Sequence, residues 1–202
     1  MRSYTLEFFK YLLNIRGPYT SDTPGELKLL GKLASGKKSI LEIGVLEGVA
    51  SLEFCRHMNP NGKLYLVDPY LRSAKLERLF NFSYSEYITK RTLRKYKEKY
   101  VLIKSYSSGA FDLIDESIKF DLIFIDGSHE YEDVKNDFLG WSRRLEKDGR
   151  IALHDSRICQ IRSDLNEETG PVKLSLELKK GKFGEWSLVN SADSISVFSR
   201  ES

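Results

Sequence analysis

Short, largely apolar runs recur along the chain at 40–43, 64–67, 101–103, 121–125 and 150–153. Each is too short for a helix and reads as a strand. Between them the apolar period changes. Ala50 through His57 predicts a helix, closed by Pro60-Asn61-Gly62. Tyr131, Val134, Phe138, Trp141 and Leu145 mark one face of another, and Gly149 returns the chain to the sheet. Strands that are apolar throughout and alternate with helices predict a parallel sheet covered on both faces.

The ends depart from this alternation. Leu6, Phe9, Leu12 and Leu13 predict an amphipathic helix over 4–15, stopped by Gly17-Pro18. Thr23-Pro24-Gly25-Glu26 has the form of a capping box with proline in the first turn, opening a helix with Leu27, Leu30 and Leu33 on one side. At the other end, 186–189 and 195–198 flank Ser191-Ala192-Asp193 and predict a hairpin, hence antiparallel strands at the sheet edge, after a helix over 171–180. The segment 71–100 is long for a crossover and rich in aromatics: Phe80, Phe82, Tyr84, Tyr87 and Tyr96. It predicts extra helix, either a layer with its own small core or a cover over the ligand edge.

Composition narrows the class. At 202 residues, 41% hydrophobic and 30% charged, the sequence predicts one globular domain, with helices over 1–36 and the core over 37–202. A net charge of +3 is too small to imply nucleic acid, and the basic stretch 90–97 reads as a solvated helix face. Cys55 and Cys159 have no metal or redox spacing, which predicts reduced thiols and a cytoplasmic protein. Glu7 and Lys10 interrupt the first apolar stretch and argue against a signal peptide. No run approaches the ~18 apolar residues of a membrane span.

The candidate chemistry begins where the first strand ends, at Glu42-Ile43-Gly44, with Gly48 four residues on and Asp68 closing the next strand. Strand, glycine turn, helix, strand, acid is the order that holds a nucleotide-like ligand at the carboxyl edge of a parallel sheet. The glycines permit close backbone approach, and Asp68 is placed to accept ribose hydroxyls. A dinucleotide fingerprint would need glycine where Leu46 stands. Glu42 would repel a pyrophosphate and suits a ligand bearing an ammonium group. In these residues the sequence resembles the class I S-adenosylmethionine-dependent methyltransferases. The resemblance implies that Glu42, Gly44 and Gly48 lie along the methionine end of S-adenosylmethionine, with Asp68 on the ribose. It places Ser105, Tyr106 and Ser107 by the adenine and Asp126 at the border of the cofactor. Tyr106 departs from the acidic or small residue the family often carries there.

A second constellation is Asp126-Gly127-Ser128-His129-Glu130-Tyr131, followed by Leu153-His154-Asp155. Its two acids end neighbouring strands, so their carboxylates converge on the edge that carries Glu42 and Asp68. This block resembles the small O-methyltransferase branch that includes catechol, caffeoyl-coenzyme A, and sugar or macrolide O-methyltransferases. The likeness runs from about residue 20 to the end of the chain. It implies an α/β, Rossmann-like methyltransferase fold: a three-layer sandwich with a mostly parallel seven-stranded sheet ending in an antiparallel hairpin. It implies Asp126 and Asp155 as ligands of Mg²⁺ or another divalent cation. A third ligand would fall on Ser156 or His154, and neither matches the pattern. It makes His129 the general base. His154 points either to the site or into the neighbouring helix layer.

The expected function is therefore O-methylation of a hydroxyl on a small-molecule acceptor: a sugar, polyketide or phenolic. No nucleic-acid or membrane partner is implied, and a homodimer is allowed. One rival is a catalytically inactive S-adenosylmethionine-binding protein, favoured by the missing third metal ligand and opposed by His129. Another is a methyltransferase acting on a non-oxygen acceptor. Glu42 and Leu46 oppose a nucleotide-dependent oxidoreductase. A nucleic-acid methyltransferase would want an Asn/Asp-Pro-Pro-aromatic motif where Asp126-Gly127-Ser128-His129 stands.

Overall fold

The computed structural model describes residues 4–200; residues 1–3, part of the stretch read against a signal peptide, lie outside the described residues. In chain order the elements are α1 (Tyr4–Leu12), α2 (Pro24–Ala34), β1 (Ser39–Ile43), α3 (Val49–His57), β2 (Lys63–Val67), α4 (Lys75–Leu79), α5 (Tyr84–Thr92), β3 (Tyr100–Ile103), α6 (Ser107–Ala110), β4 (Phe120–Ile125), α7 (Tyr131–Trp141), β5 (Leu145–Leu153), α8 (Gly170–Lys179), β6 (Trp186–Ala192) and β7 (Ile195–Arg200). The seven strands form one sheet in the order β3-β2-β1-β4-β5-β7-β6. The first five run parallel, and β7 runs antiparallel to both β5 and β6.

Alternate strand residues face opposite layers. Ile40, Leu64, Leu66, Leu122 and Phe124 pack with Leu30 and Leu33 of α2 and Phe54 and Cys55 of α3. Leu41, Ile43, Ile123, Ile125 and Ile151 pack with Val134, Phe138 and Trp141 of α7 and Leu174 and Leu178 of α8. The result is the expected three-layer sandwich with its antiparallel hairpin. Among the described residues no helix is long and apolar enough to cross a membrane, and both cysteines are free thiols.

Three expectations are corrected. Leu145 does not extend the helix. The chain tightens into a 3-10 turn at Ser142–Arg144, and Leu145 opens β5 opposite Phe120. A register shift follows before Leu122 pairs with Arg150. The apolar face of α1 is also different. Phe8 and Tyr11 are buried, while Leu6, Phe9 and Leu13 are half or more exposed. The reason lies in the segment 71–100. Phe8 stacks on Tyr84 of α5, with ring centroids 4.2 Å apart, and meets Phe82 edge-on. Aromatic partners thus select the buried face of α1, and the segment forms a small core of its own with that helix. Finally, β6 extends through Ala192, so the hairpin turns at Asp193-Ser194, with Asp193 at a positive φ of 42°.

Candidate functional site

Strand register fixes the site. Ile43 pairs with Val67 on one side and Ile125 on the other, and Ile125 pairs with Leu153. Gly44, Asp68, Asp126 and His154 therefore all lie one step past the ladder, at one edge. The strand order reverses between β1 and β4, the position at which open α/β sheets bind their ligands.

The loop after β1 is left-handed at three positions, with φ of 83°, 54° and 77° at Gly44, Leu46 and Gly48, a conformation natural to the glycines and strained at Leu46. At Gly44 the closely approaching partner is the chain itself, since a Cβ there would lie 2.0 Å from the Asp126 carbonyl oxygen. That contact joins the ends of β1 and β4. Asp68 organises the rest of the loop. One carboxylate oxygen accepts from the Val45 and Leu46 amides at 2.9 and 3.3 Å, and the other from the Tyr70 amide at 2.6 Å. Thr89 of α5 donates to the Leu46 carbonyl at 3.1 Å, which brings the aromatic segment against the loop.

Glu42 is buried beneath this loop and accepts from the Ser51 hydroxyl at 2.6 Å. Burial pushes its carboxyl well above the usual range, reinforced by the charges of Asp22, Asp126 and Asp68 against the Ser51 bond. The loop 44–48 carries no basic side chain, and its Glu47 is acidic. This donor set fits S-adenosylmethionine, with acids for an ammonium and ribose hydroxyls and no cation for a phosphate. Farther along the edge, Tyr106 precedes α6 and is exposed. Ser107 is committed elsewhere, because its hydroxyl accepts from the Trp141 indole at 2.8 Å.

The other half of the edge is a network of charge. His129 Nε2 lies 2.7 Å from Asp155 Oδ2. Asp155 Oδ1 accepts from the Arg162 guanidinium and lies 3.1 Å from the Ser194 hydroxyl oxygen. Asp155 itself is buried and held at a φ of 50°. Burial pushes its carboxyl up, but His129, His154 and Arg162 outweigh that and hold it below the usual range. The same Asp155 hydrogen bond raises His129 above its ordinary value, against partial burial. His154, whose orientation the sequence left open, is buried at the site, with Asp22 and Glu26 on one side of its ring and Asp126 on the other. Burial would lower it, but Asp126, Asp155 and Glu26 outweigh burial and raise it.

The residues do not fit Mg²⁺ between Asp126 and Asp155. Both Asp155 oxygens are engaged by cationic or hydrogen-bonding partners. The Ser156 hydroxyl is turned away, donating to the Leu153 carbonyl at 2.7 Å and accepting from the Ser196 amide at 3.0 Å. A hard cation wants several free oxygens, and here a guanidinium occupies one of the few.

Sequence reasoning missed Asp22 and Arg162, and read Glu26 as a cap alone. Glu26 is both. Its side chain completes the box with Thr23 and also accepts from the Ser194 amide and hydroxyl, at 2.8 and 2.6 Å. The spacing of Asp22 and Glu26, four apart at a helix start, was the available signal. It missed the pair of Arg16 and Glu47 as well, joined at 2.6 and 2.9 Å.

This geometry defines a class: an α/β protein that holds an S-adenosylmethionine-like ligand at a topological switch point. Residues 41–156 match the methyltransferase domain family model. The chain belongs to that family and is an S-adenosylmethionine-dependent methyltransferase. No curated protein matches the chain. The fold is similar to that of the O-methyltransferase TomG of Streptomyces achromogenes, involved in tomaymycin synthesis and solved with S-adenosylmethionine: TM-score 0.69, 15% identity, covering 100% of this chain and 92% of that one. It is also similar to the O-methyltransferase of Bacillus cereus in complex with S-adenosylhomocysteine: TM-score 0.67, 14% identity, covering 99% and 92%. A third is the Podospora anserina methyltransferase PaMTH1, bound to S-adenosylhomocysteine: TM-score 0.63, 16% identity, covering 100% and 89%.

Proposed function

We propose that the chain acts as one domain, 1–202, transferring a methyl group to a hydroxyl of a small molecule such as a sugar, polyketide or phenolic, with His129 as general base. The observation that carries this reading is the pair of His129 and Asp155, 2.7 Å apart at the carboxyl ends of the central strands. A carboxylate only accepts, so the imidazole donates from Nε2 and keeps its Nδ1 lone pair for a proton. The role of Asp155 is to orient the ring and stabilise its cationic form; Arg162 holds Asp155 in turn. Bound S-adenosylmethionine supplies a methyl group already activated by sulfonium. The chain's own work is positioning and proton removal: Glu42 would hold the ammonium and Asp68 the ribose, and His129 Nδ1 would take the acceptor's hydroxyl proton. TomG and the Bacillus cereus enzyme, both named as O-methyltransferases, support an oxygen acceptor.

The test is a panel of glycoside and phenolic acceptors with labelled S-adenosylmethionine, paired with calorimetric titration of S-adenosylhomocysteine and NADH. Labelled ether products and micromolar S-adenosylhomocysteine binding are expected. Binding without transfer to any hydroxyl would shift the reading to a cofactor-binding protein or a non-oxygen acceptor. Tight NADH binding with no response to S-adenosylhomocysteine would end it altogether.

A further inference from the structure

One group of side chains in the site has no part in the reaction as proposed. His154 is buried, yet neither ring nitrogen makes a well-directed hydrogen bond. Asp22 Oδ1 is likewise buried without a hydrogen-bond partner. Orphaned polar atoms in so dry a place are costly, and two of these three, His154 Nε2 and Asp22 Oδ1, face each other. His154 Nε2 lies 3.5 Å from Asp22 Oδ1 and 3.6 Å from Glu26 Oε2. The His154, Asp22 and Glu26 side chains are 1%, 4% and 1% exposed.

We propose that Asp22, Glu26 and His154 bind a divalent transition-metal ion of the zinc, manganese or iron class, which clamps the amino-terminal segment to the end of β5. The ligand atoms all lie within 4.8 Å of one another. Metal bonds of roughly 2.0–2.2 Å in a tetrahedral site set ligand atoms roughly 3.3–3.6 Å apart, which is the spacing found around Nε2. One imidazole with two carboxylates selects borderline metals over Mg²⁺ or Ca²⁺. The outer shell is in place as well. Asp126 Oδ1 and Asp155 Oδ2 lie 2.9 and 3.4 Å from His154 Nδ1, on the far side of the ring from the ligands. Carboxylates in that position orient metal-bound histidines. The remaining oxygens of the two acids are tied down, Glu26 Oε1 by the Ser194 amide and Asp22 Oδ2 by the Thr20 hydroxyl at 2.5 Å, while Glu26 Oε2 also accepts from the Thr23 amide at 2.8 Å. Charge points the same way. Four carboxylates surround His154, a concentration of negative charge that favours a bound cation. The inference is independent of the methyl-transfer reading and concerns a role in holding the fold together at the site.

The experiment is calorimetric titration of chelator-treated protein with Zn²⁺ and, separately, Mg²⁺, together with Zn²⁺-edge anomalous diffraction from soaked crystals. One Zn²⁺ per chain is expected, with little response to Mg²⁺ and an anomalous peak between Asp22, Glu26 and His154. Asp22→Asn and His154→Gln should each weaken Zn²⁺ binding by more than about a hundredfold, beyond the loss typical of outer-shell changes. Zn²⁺ should raise the melting temperature of the parent chain and not of Asp22→Asn. No stoichiometric Zn²⁺ binding would overturn the proposal and leave His154 as a cation among carboxylates. So would a peak between Asp126 and Asp155. The diffraction arm needs no variant, so a misfolded substitution does not blunt the test.

Discussion

The two halves of the carboxyl edge are built in opposite ways. The half at β1 and β2 is local. Asp68 gathers the amides of Val45, Leu46 and Tyr70, and Glu42 is satisfied by Ser51, nine residues on. The half at β4 and β5 is assembled from afar. His129, His154, Asp155 and Arg162 meet Asp22 and Glu26 from before the sheet and Ser194 from the final hairpin. Backbone amides give the first half a fixed shape, fit for a constant ligand. Side-chain charge gives the second half a tunable proton affinity, fit for chemistry. If that division is right, damage to one half should leave the other's function intact.

The largest effect tests it directly. His129→Ala should lower the methyl-transfer rate by about 10²–10⁴-fold while S-adenosylhomocysteine binds as before. Single-turnover rates and calorimetry on the same protein measure the two quantities. A matching collapse of cofactor affinity would show that the halves are not separable.

The converse substitution is Asp68→Ala. It should weaken S-adenosylhomocysteine binding by roughly 1.5–3 kcal/mol, the cost of losing charge-assisted hydrogen bonds, with little change in rate at saturating cofactor. Because Asp68 also holds three loop amides, Asp68→Asn serves as the companion. It keeps an acceptor for part of the loop and removes the charge. A rate loss at saturating cofactor in both variants would put Asp68 in the chemistry as well.

A pH profile sharpens the comparison without disturbing the cofactor half. A base must be neutral to accept a proton. His129 is raised by its Asp155 bond, so the acid limb of the rate should lie above the ordinary histidine value of 6.5. Asp155→Asn removes the largest cause of that shift and should move the limb down, toward lower pH. The sign matters, since a limb that rises or stays in Asp155→Asn would detach His129 from the titration.

The same division decides what the sequence made legible. The strands and the sheet edge that carries Glu42, Gly44, Gly48 and Asp68 were legible because each depends on short local patterns of sequence. Where reading failed, a distant partner decided. Phe8 turned inward instead of Leu6 and Phe9 because Tyr84 and Phe82 receive it. The metal role expected of Asp155 fits poorly because Arg162, part of no local motif, takes its Oδ1 and His129 its Oδ2. Glu26 looked complete as a helix cap, and nothing near it announced Ser194 or His154.

The smallest expected effect comes from a contact that ties the amino-terminal segment to the glycine loop. Arg16 grips Glu47 of the glycine loop through both terminal nitrogens, at 2.6 and 2.9 Å, and its Nε donates to the Glu7 carbonyl at 2.9 Å. Six residues farther on, the same segment supplies Asp22 to the charged cluster. The side chains of Arg16 and Glu47 are 16% and 11% exposed, so the pair is less screened than a surface bridge. A bidentate, partly buried pair of this kind contributes about 1–2 kcal/mol. Arg16→Ala should therefore lower the melting temperature by roughly 2–6 °C for a chain of this size. It should also loosen both halves slightly, weakening cofactor binding through Glu47 and cluster geometry through Asp22. A double-mutant cycle with Asp68→Ala separates the outcomes. Independent halves give additive losses in S-adenosylhomocysteine affinity. A coupling above about 0.5 kcal/mol would mean that the amino-terminal segment and the glycine loop move as one unit, and that the line between cofactor side and acceptor side must be redrawn through Arg16.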